Sequence, residues 1–210
     1  GVQKKLISNI FGTMSYSPDG KEVGYLRPRF PSLEESSLLV ANPDGSGERI
    51  LISIKRPDVF PSSANQSPTW SPDGKSIAAI VRNISSNETS IGAIQVADGS
   101  LKTMAAPNFK VIARLAWLPD SSGFLLLGTD GNGTALTQQV SLLPYPDGEV
   151  RRITNDLNLY FGLSLTADAR TLSTVQHSVI SNIWVAPPGD PSRAVQIKSG
   201  GSNFEGTGGL

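Results

Sequence analysis

TWSPDGKSIAAIVR, Thr69 to Arg82, decides the fold. A short approach ends in Trp70, a Ser-Pro-Asp-Gly turn follows, and Ser76 to Val81 reads as a second strand. Pro presets φ at the first turn position, Asp hydrogen-bonds the backbone two residues on, and Gly accepts positive φ without steric cost. The same grammar returns in SYSPDGKEVGYLR (Ser15 to Arg27), AWLPDSSGFLLLGTD (Ala116 to Asp130) and SLTADARTLSTVQHS (Ser164 to Ser178). The shared Asp19, Asp73, Asp120 and Asp168 lie 54, 47 and 48 residues apart. Gly20 and Gly74 complete the first two turns, and Ser121 and Ala169 stand at that position in the other two. Short strands recurring every ~40–50 residues are the sequence signature of propeller blades.

Each repeat reads as four strands, a to d. In the second, strand a is Ser67 to Trp70, b is Ser76 to Val81, c is Ser90 to Val96 and d is Leu101 to Met104. Tight c-to-d turns stand at Asn42-Pro43-Asp44-Gly45, Ala97-Asp98-Gly99, Tyr145-Pro146-Asp147-Gly148 and Pro187-Pro188-Gly189-Asp190. The pattern predicts an all-β beta-propeller segment of about four four-stranded blades, near residues 11–54, 66–104, 112–154 and 160–198 of a single unit spanning 1–210. Residues 1–7 and 203–210 read as pieces of flanking blades, so the chain reads as part of a six- or seven-bladed propeller. Three residues before each shared Asp stands a large side chain, Tyr16, Trp70, Trp117 or Leu165, expected to wedge between blades.

Composition narrows the function classes. Lys and Arg total 18, as do Asp and Glu, so no net field draws nucleic acid or an anionic membrane surface. There is no cysteine, which excludes disulfides, thiolate metal sites and cysteine nucleophiles. No apolar run approaches the ~18 residues that direct membrane insertion requires. The 21 glycines and 15 prolines punctuate apolar strand-like runs, which is the composition of tight turns rather than of disorder. The chain opens on Gly1 rather than Met and reads as a piece of a longer protein.

Aromatic-Ser-Pro-Asp-Gly-Lys followed by an alternating strand, as in SYSPDGK and TWSPDGK, resembles the TolB-like, WD-related propeller repeats. The resemblance covers nearly the whole chain and is specific for fold. It implies a bacterial, extracytoplasmic setting (periplasmic or cell-surface) and one of several roles: protein binding, a propeller beside a prolyl-oligopeptidase-type hydrolase domain, or a sensor C-terminal to a serine/threonine kinase domain. The stretches ALTQQVSLLPYPDGEVRRITNDLNLYFGLSLTADARTLS and SNIWVAPPGDPSRAVQI resemble the kinase-associated group most. No kinase Gly-rich, catalytic-loop or Asp-Phe-Gly motif is present, so kinase activity is not expected of this chain.

Catalytic machinery is sparse. His177 is the only histidine, and no Gly-x-Ser-x-Gly elbow nominates a serine to pair with it. Asp130-Gly131-Asn132-Gly133-Thr134 opens like a calcium loop, but Ala135 and Ser141 stand where an EF-hand needs Gly and Glu. Strand-a residues Thr13, Met14, Thr69, Ala116 and Ser164 would line the channel and bring neither carboxylates nor metal-ligand histidines. The expectation is a chain without catalytic residues, metal or cofactor.

A meander puts its a-to-b and c-to-d turns on one face and its b-to-c and d-to-a loops on the other. The first set is tight and formulaic; the second is long and irregular, and irregular loops on a rigid scaffold are where binding resides. Those loops include Arg27 to Glu35, Lys55 to Gln66, Arg82 to Glu88, Ala105 to Lys110 and Asn155 to Tyr160. Arg and aromatic residues dominate binding hot spots, so Arg27, Arg29, Phe30, Arg56, Arg82, Phe109, Tyr160 and His177 are the candidate contacts for a protein, peptide or small ligand, with Phe60 and Lys110 beside them. The alternative is a gating propeller whose hydrolase domain lies outside this chain.

Overall fold

The computed structural model describes residues 5–28, 32, 34–61, 67–106, 109–130, 138–156, 158–166, 168, 170–177 and 180–201. The first repeat is a four-stranded antiparallel meander of β1 (Phe11–Tyr16), β2 (Val23–Pro28), β3 (Glu35–Ala41) and β4 (Arg49–Lys55). The second holds β5 (Asp58–Val59), β6 (Thr69–Trp70), β7 (Ser76–Asn83), β8 (Thr89–Gln95) and β9 (Leu101–Ala105). Here strand a is split: β5 pairs with Arg82 and Asn83 at the far end of β7, and β6 pairs with Ile77 and Ala78 at its near end. The third repeat orders β10 (Phe109–Trp117), β11 (Gly123–Asp130), β12 (Gln139–Pro144) and β13 (Arg151–Arg152) in one sheet. This is an all-β partial propeller.

The fourth repeat pairs differently. β14 (Leu159–Leu165) joins β15 (Leu172–His177), while β16 (Ile180–Val185) joins β17 (Val195–Gly201) in a separate two-stranded sheet, a 3₁₀ turn at Pro191–Arg193 lying between the latter two. Composition explains the split. The run Ser76 to Val81 is buried at every residue, whereas β15 reads Leu-Ser-Thr-Val-Gln-His, and Val175 in its centre is 63% exposed. A strand with so little apolar surface gives a neighbouring hairpin little to bury.

Side-chain alternation builds the core between blades. Leu26, Leu38 and Val40 on one face of the first blade meet Ile77, Ala79 and Val81 of the second. The other face of the second presents Ala78, Ile80, Ile91 and Met104 to Trp117, Phe124 and Leu126 of the third. Leu127 and Val140 then meet Tyr160 of the fourth. The remaining face of the first blade, Val23, Tyr25, Leu39 and Ala41, is covered by Ile7 and Ile10. Residues 5–10 form no strand, yet Leu6 sits where a strand d would. A Cβ on Gly45 would come within 2.4 Å of the Leu6 carbonyl, just as one on Gly99 would come within 2.1 Å of the Leu51 carbonyl. Residues 1–4 and 202–210, which hold most of the expected flanking pieces, lie outside the described residues.

Two tryptophans stitch blade to blade. The Trp70 indole N–H donates to the Ser15 carbonyl at 3.2 Å, and that of Trp117 to the Thr69 carbonyl at 3.1 Å. Each acceptor immediately precedes the equivalent aromatic of the previous blade. Gly24 makes room: a Cβ there would stand 3.1 Å from the Trp70 indole nitrogen. Tyr16, the first of the series, is 61% exposed and does not wedge between blades as expected, and Leu165 has no side-chain N–H to offer.

Candidate binding face

The a-to-b turns are closed systems. Ser17 Oγ donates to Asp19 Oδ1 at 2.7 Å and accepts from the Glu22 amide, while the Lys21 amide donates to the same carboxylate. Ser71, Asp73, Lys75 and Ser76 repeat this bond for bond. Thr166, Asp168, Arg170 and Thr171 do so in the fourth repeat, where a threonine hydroxyl replaces serine. In the third, Leu118 has no hydroxyl, so Asp120 takes the Ser122 amide and hydroxyl instead. Ser121 there bears the positive φ (60°) that Gly20 and Gly74 bear elsewhere. Hydrogen bonds to their ionised forms lower the pKa of all four aspartates. Side chains so engaged have little left for a ligand.

The opposite face carries the residues expected to bind. Arg29 and Phe30 lie outside the described residues. Arg27 is engaged through both terminal nitrogens of its guanidinium. Its two terminal nitrogens meet the Glu48 carboxylate at 2.7 Å each, Nη2 also donates to the Ser8 carbonyl, and the guanidinium stands 5.5 Å from the centre of the Tyr25 ring. Tyr25 Oη donates to Glu48 at 2.5 Å. These bonds, from Arg27 first and Tyr25 second, hold the Glu48 carboxyl down at about 2, while burial together with the Glu48 charge pushes the Tyr25 phenol upward. Arg27 thus clamps the segment preceding β1 onto the first blade.

Phe109 and Tyr160 are 6% and 9% exposed, and Phe60 is 3% exposed. All three fill inter-blade cores at or beside the entry to strand a. Tyr160 Oη also donates to Asp156 Oδ2 at 2.6 Å, which holds that carboxyl at about 2. Arg82 is exposed and donates to Asn87 Oδ1. Arg56 Nη1 stands 3.9 Å from Glu34 Oε1. His177 is exposed, its ring 5.7 Å from Phe161. The expected residues therefore divide into packed aromatics, a clamped Arg27 and an exposed set of Arg56, Arg82 and His177; they do not converge on one pocket.

A cavity of about 570 Å³ does open on this face, between β4 and the outer part of the second blade. Its floor is Ile54, Val81 and Leu101, side chains that also pack into the core between the first two blades. Lys55, Asp58 and Glu88 stand exposed at its mouth. The sequence of β8 makes the space: Ser90 and Gly92 stand on the face where Ile94 fills the core between the first two blades. Leu101 folds over Gly92, on which a Cβ would come within 2.7 Å of it.

Asn83 organises the mouth. Its Nδ2 donates to Asp58 Oδ1 at 2.8 Å, tying β5 to β7, and its Oδ1 accepts from the Ser85 and Ser86 amides. Ser86 Oγ donates to Glu88 Oε2 at 2.8 Å. Among the described residues Asp58 Oδ2 and Glu88 Oε1 accept no hydrogen bond. The loops holding Lys55, Asp58 and Glu88 are legible in the sequence; the residues themselves are not, since their proximity follows from the split of strand a. Among the described residues no three His, Cys, Asp or Glu side chains are grouped to hold a metal ion.

No family model matches the chain, and no curated protein does. Solved structures do match. TolB-like propellers are among the structural neighbours. TolB from Acinetobacter baumannii superimposes with a TM-score of 0.59 at 18% identity, over 85% of this chain and 38% of that one. A TolB from Agrobacterium tumefaciens gives 0.58 at 14% identity, over 81% and 56%. A prolyl endopeptidase gives 0.51 at 18% identity, over 91% and 30%. At these identities the likeness establishes the propeller fold, and this chain spans roughly a third to a half of the length of those relatives.

Proposed function

We propose that this segment is a non-catalytic binding module of a larger bacterial, extracytoplasmic protein, and that it recognises a peptide or protein through its irregular-loop face. One observation carries the reading: the turn face satisfies its own polar groups, whereas the loop face presents an apolar-floored cavity with exposed charge at its mouth. A sensor role beside a kinase domain is the form of this reading that the sequence segments favour. The alternative, a propeller that gates a peptidase site held elsewhere in the parent, draws on the likeness to the prolyl endopeptidase, which extends over 91% of this chain.

Panning a random peptide display library against the purified chain tests the reading. Enriched peptides should lose binding on Lys55→Ala plus Arg82→Ala and keep it on Lys21→Ala plus Lys75→Ala, which alter the turn face. Enrichment that survives the first pair and is lost with the second overturns it, as does no enrichment at all. For the alternative, adding the chain in trans to a propeller-deleted prolyl endopeptidase should restore its discrimination against large substrates; unchanged size selection counts against it.

A further inference from the structure

Deepening that reading, and resting on it, we infer that the cavity between β4 and the second blade receives a basic side chain, lysine or arginine, of an extended peptide. A lysine or arginine is an aliphatic stem ending in a cation, and such side chains bury the stem on apolar surface while the head stays near water. The cavity has that polarity gradient, with Ile54, Val81 and Leu101 below and the Asp58 and Glu88 carboxylates at the exposed mouth. Each carboxylate is held within the protein through a single oxygen. Asn83 orients Asp58 through Oδ1 and Ser86 orients Glu88 through Oε2, which leaves one oxygen of each to accept from a cation. Lys55 shares the mouth, so the local balance is two carboxylates to one ammonium; a cationic guest is favoured over an anionic one. The Lys55 ammonium suits a peptide carbonyl beside the inserted residue. At about 570 Å³ the space exceeds one side chain and accommodates flanking backbone.

The probes are acetyl-Ala-Lys-Ala-amide, its norleucine counterpart, which keeps the stem and loses the charge, and its glutamate counterpart. Each is titrated into the ¹⁵N-labelled chain and followed by amide shifts. The lysine peptide should shift the amides of Asp58, Val81, Ser90 and Thr103, and bind at least tenfold more tightly than the norleucine peptide; the glutamate peptide should not saturate. Glu88→Gln should weaken the lysine peptide about threefold to tenfold, and Thr103→Phe, which fills the cavity from an exposed strand position, should abolish its shifts. Asp58→Asn should act like Glu88→Gln; should it unfold the chain by loosening β5, Glu88→Gln and Thr103→Phe still decide. Equal affinity for the lysine and norleucine peptides, or lysine-peptide shifts that survive Thr103→Phe, overturns the inference. If display yields loop-face binders with no basic preference, the inference falls and the binding-module reading stands; if no loop-face binder emerges, both fall.

Discussion

Replacing Trp117 by phenylalanine tests how the blades are joined. Trp117 is 7% exposed, packs 4.1 Å from the Phe124 ring centre and 5.2 Å from that of Tyr145, and donates to the Thr69 carbonyl of the previous blade at 3.1 Å. Phenylalanine keeps one ring and removes the donor. The lost hydrogen bond is worth about 0.5–1.5 kcal/mol net. The lost ring atoms leave a void, and a full Trp→Ala truncation in a core costs about 3–5 kcal/mol, so a partial one costs about 1–2. Together the substitution should destabilise by about 1.5–3.5 kcal/mol. In urea, at a slope of about 2 kcal/mol/M, that is a midpoint shift of about 0.7–1.8 M with an unchanged slope. Tyr16→Phe is the control. It occupies the same repeat position at 61% exposure and should move stability by less than about 0.5 kcal/mol. A Trp117→Phe shift below about 0.3 M, or a Tyr16→Phe shift of equal size, refutes the claim that the indole joins the blades.

Three further outcomes are expected. Glu48 has a folded-state pKa lowered from 4.5 to about 2, so its contribution is complete above about pH 4.5 and vanishes as pH falls through about 2. Thermal melts from pH 7 to pH 2 should therefore fall more steeply for the wild type than for Glu48→Gln, by a modest margin because the side chain is 37% exposed; parallel profiles count against the clamp. Gly99→Ala should cost more than Gly20→Ala, by about 1 kcal/mol or more in denaturant midpoints. Both have φ near +70°, but a Cβ on Gly99 meets the Leu51 carbonyl at 2.1 Å while one on Gly20 meets nothing within 4 Å. Ser71→Ala removes a 1%-exposed hydroxyl that bridges Asp73 and the Ser76 amide, and should cost about 1–3 kcal/mol; a change under about 0.3 kcal/mol would show that the turn forms without it.

What the sequence made legible follows the range of the interactions involved. The Asp-centred turns act over two to five residues, so Ser71-Pro72-Asp73-Gly74 and its copies announce both their conformation and the strands they join. The position three before each Asp reads correctly as a blade wedge in the second and third repeats, where Trp70 and Trp117 are buried, but not in the first, where Tyr16 is 61% exposed because no preceding strand a covers it among the described residues. Arg27 was legible as an arginine near a loop, but its partner Glu48 stands 21 residues away across the sheet, and nothing local marks that bond. Phe109 and Tyr160 sit in segments that pattern alone assigns to loops; they begin strands instead, since irregular pairing there (register shifts at Phe109/Val111 and at Phe161/Ser164) hides the alternation. The cavity was invisible for the same reason: it needs β5 to pair with β7 across an interruption of nine residues, and no periodicity reports that.

The indole bonds bear on cooperativity. Donor and acceptor belong to successive repeats, so each copy carries the plug for its predecessor and the socket for its successor, and nearest-neighbour coupling spreads along the array. Leu165 breaks that series: the third and fourth repeats share apolar contact and the bonds of Gln138 and Gln139 to Asp156, Asn158 and Tyr160, but no indole stitch. Amide exchange should accordingly divide the chain at this boundary, with β14 to β17 opening at lower free energy than the three stitched blades and unravelling inward from that side when the rest still holds.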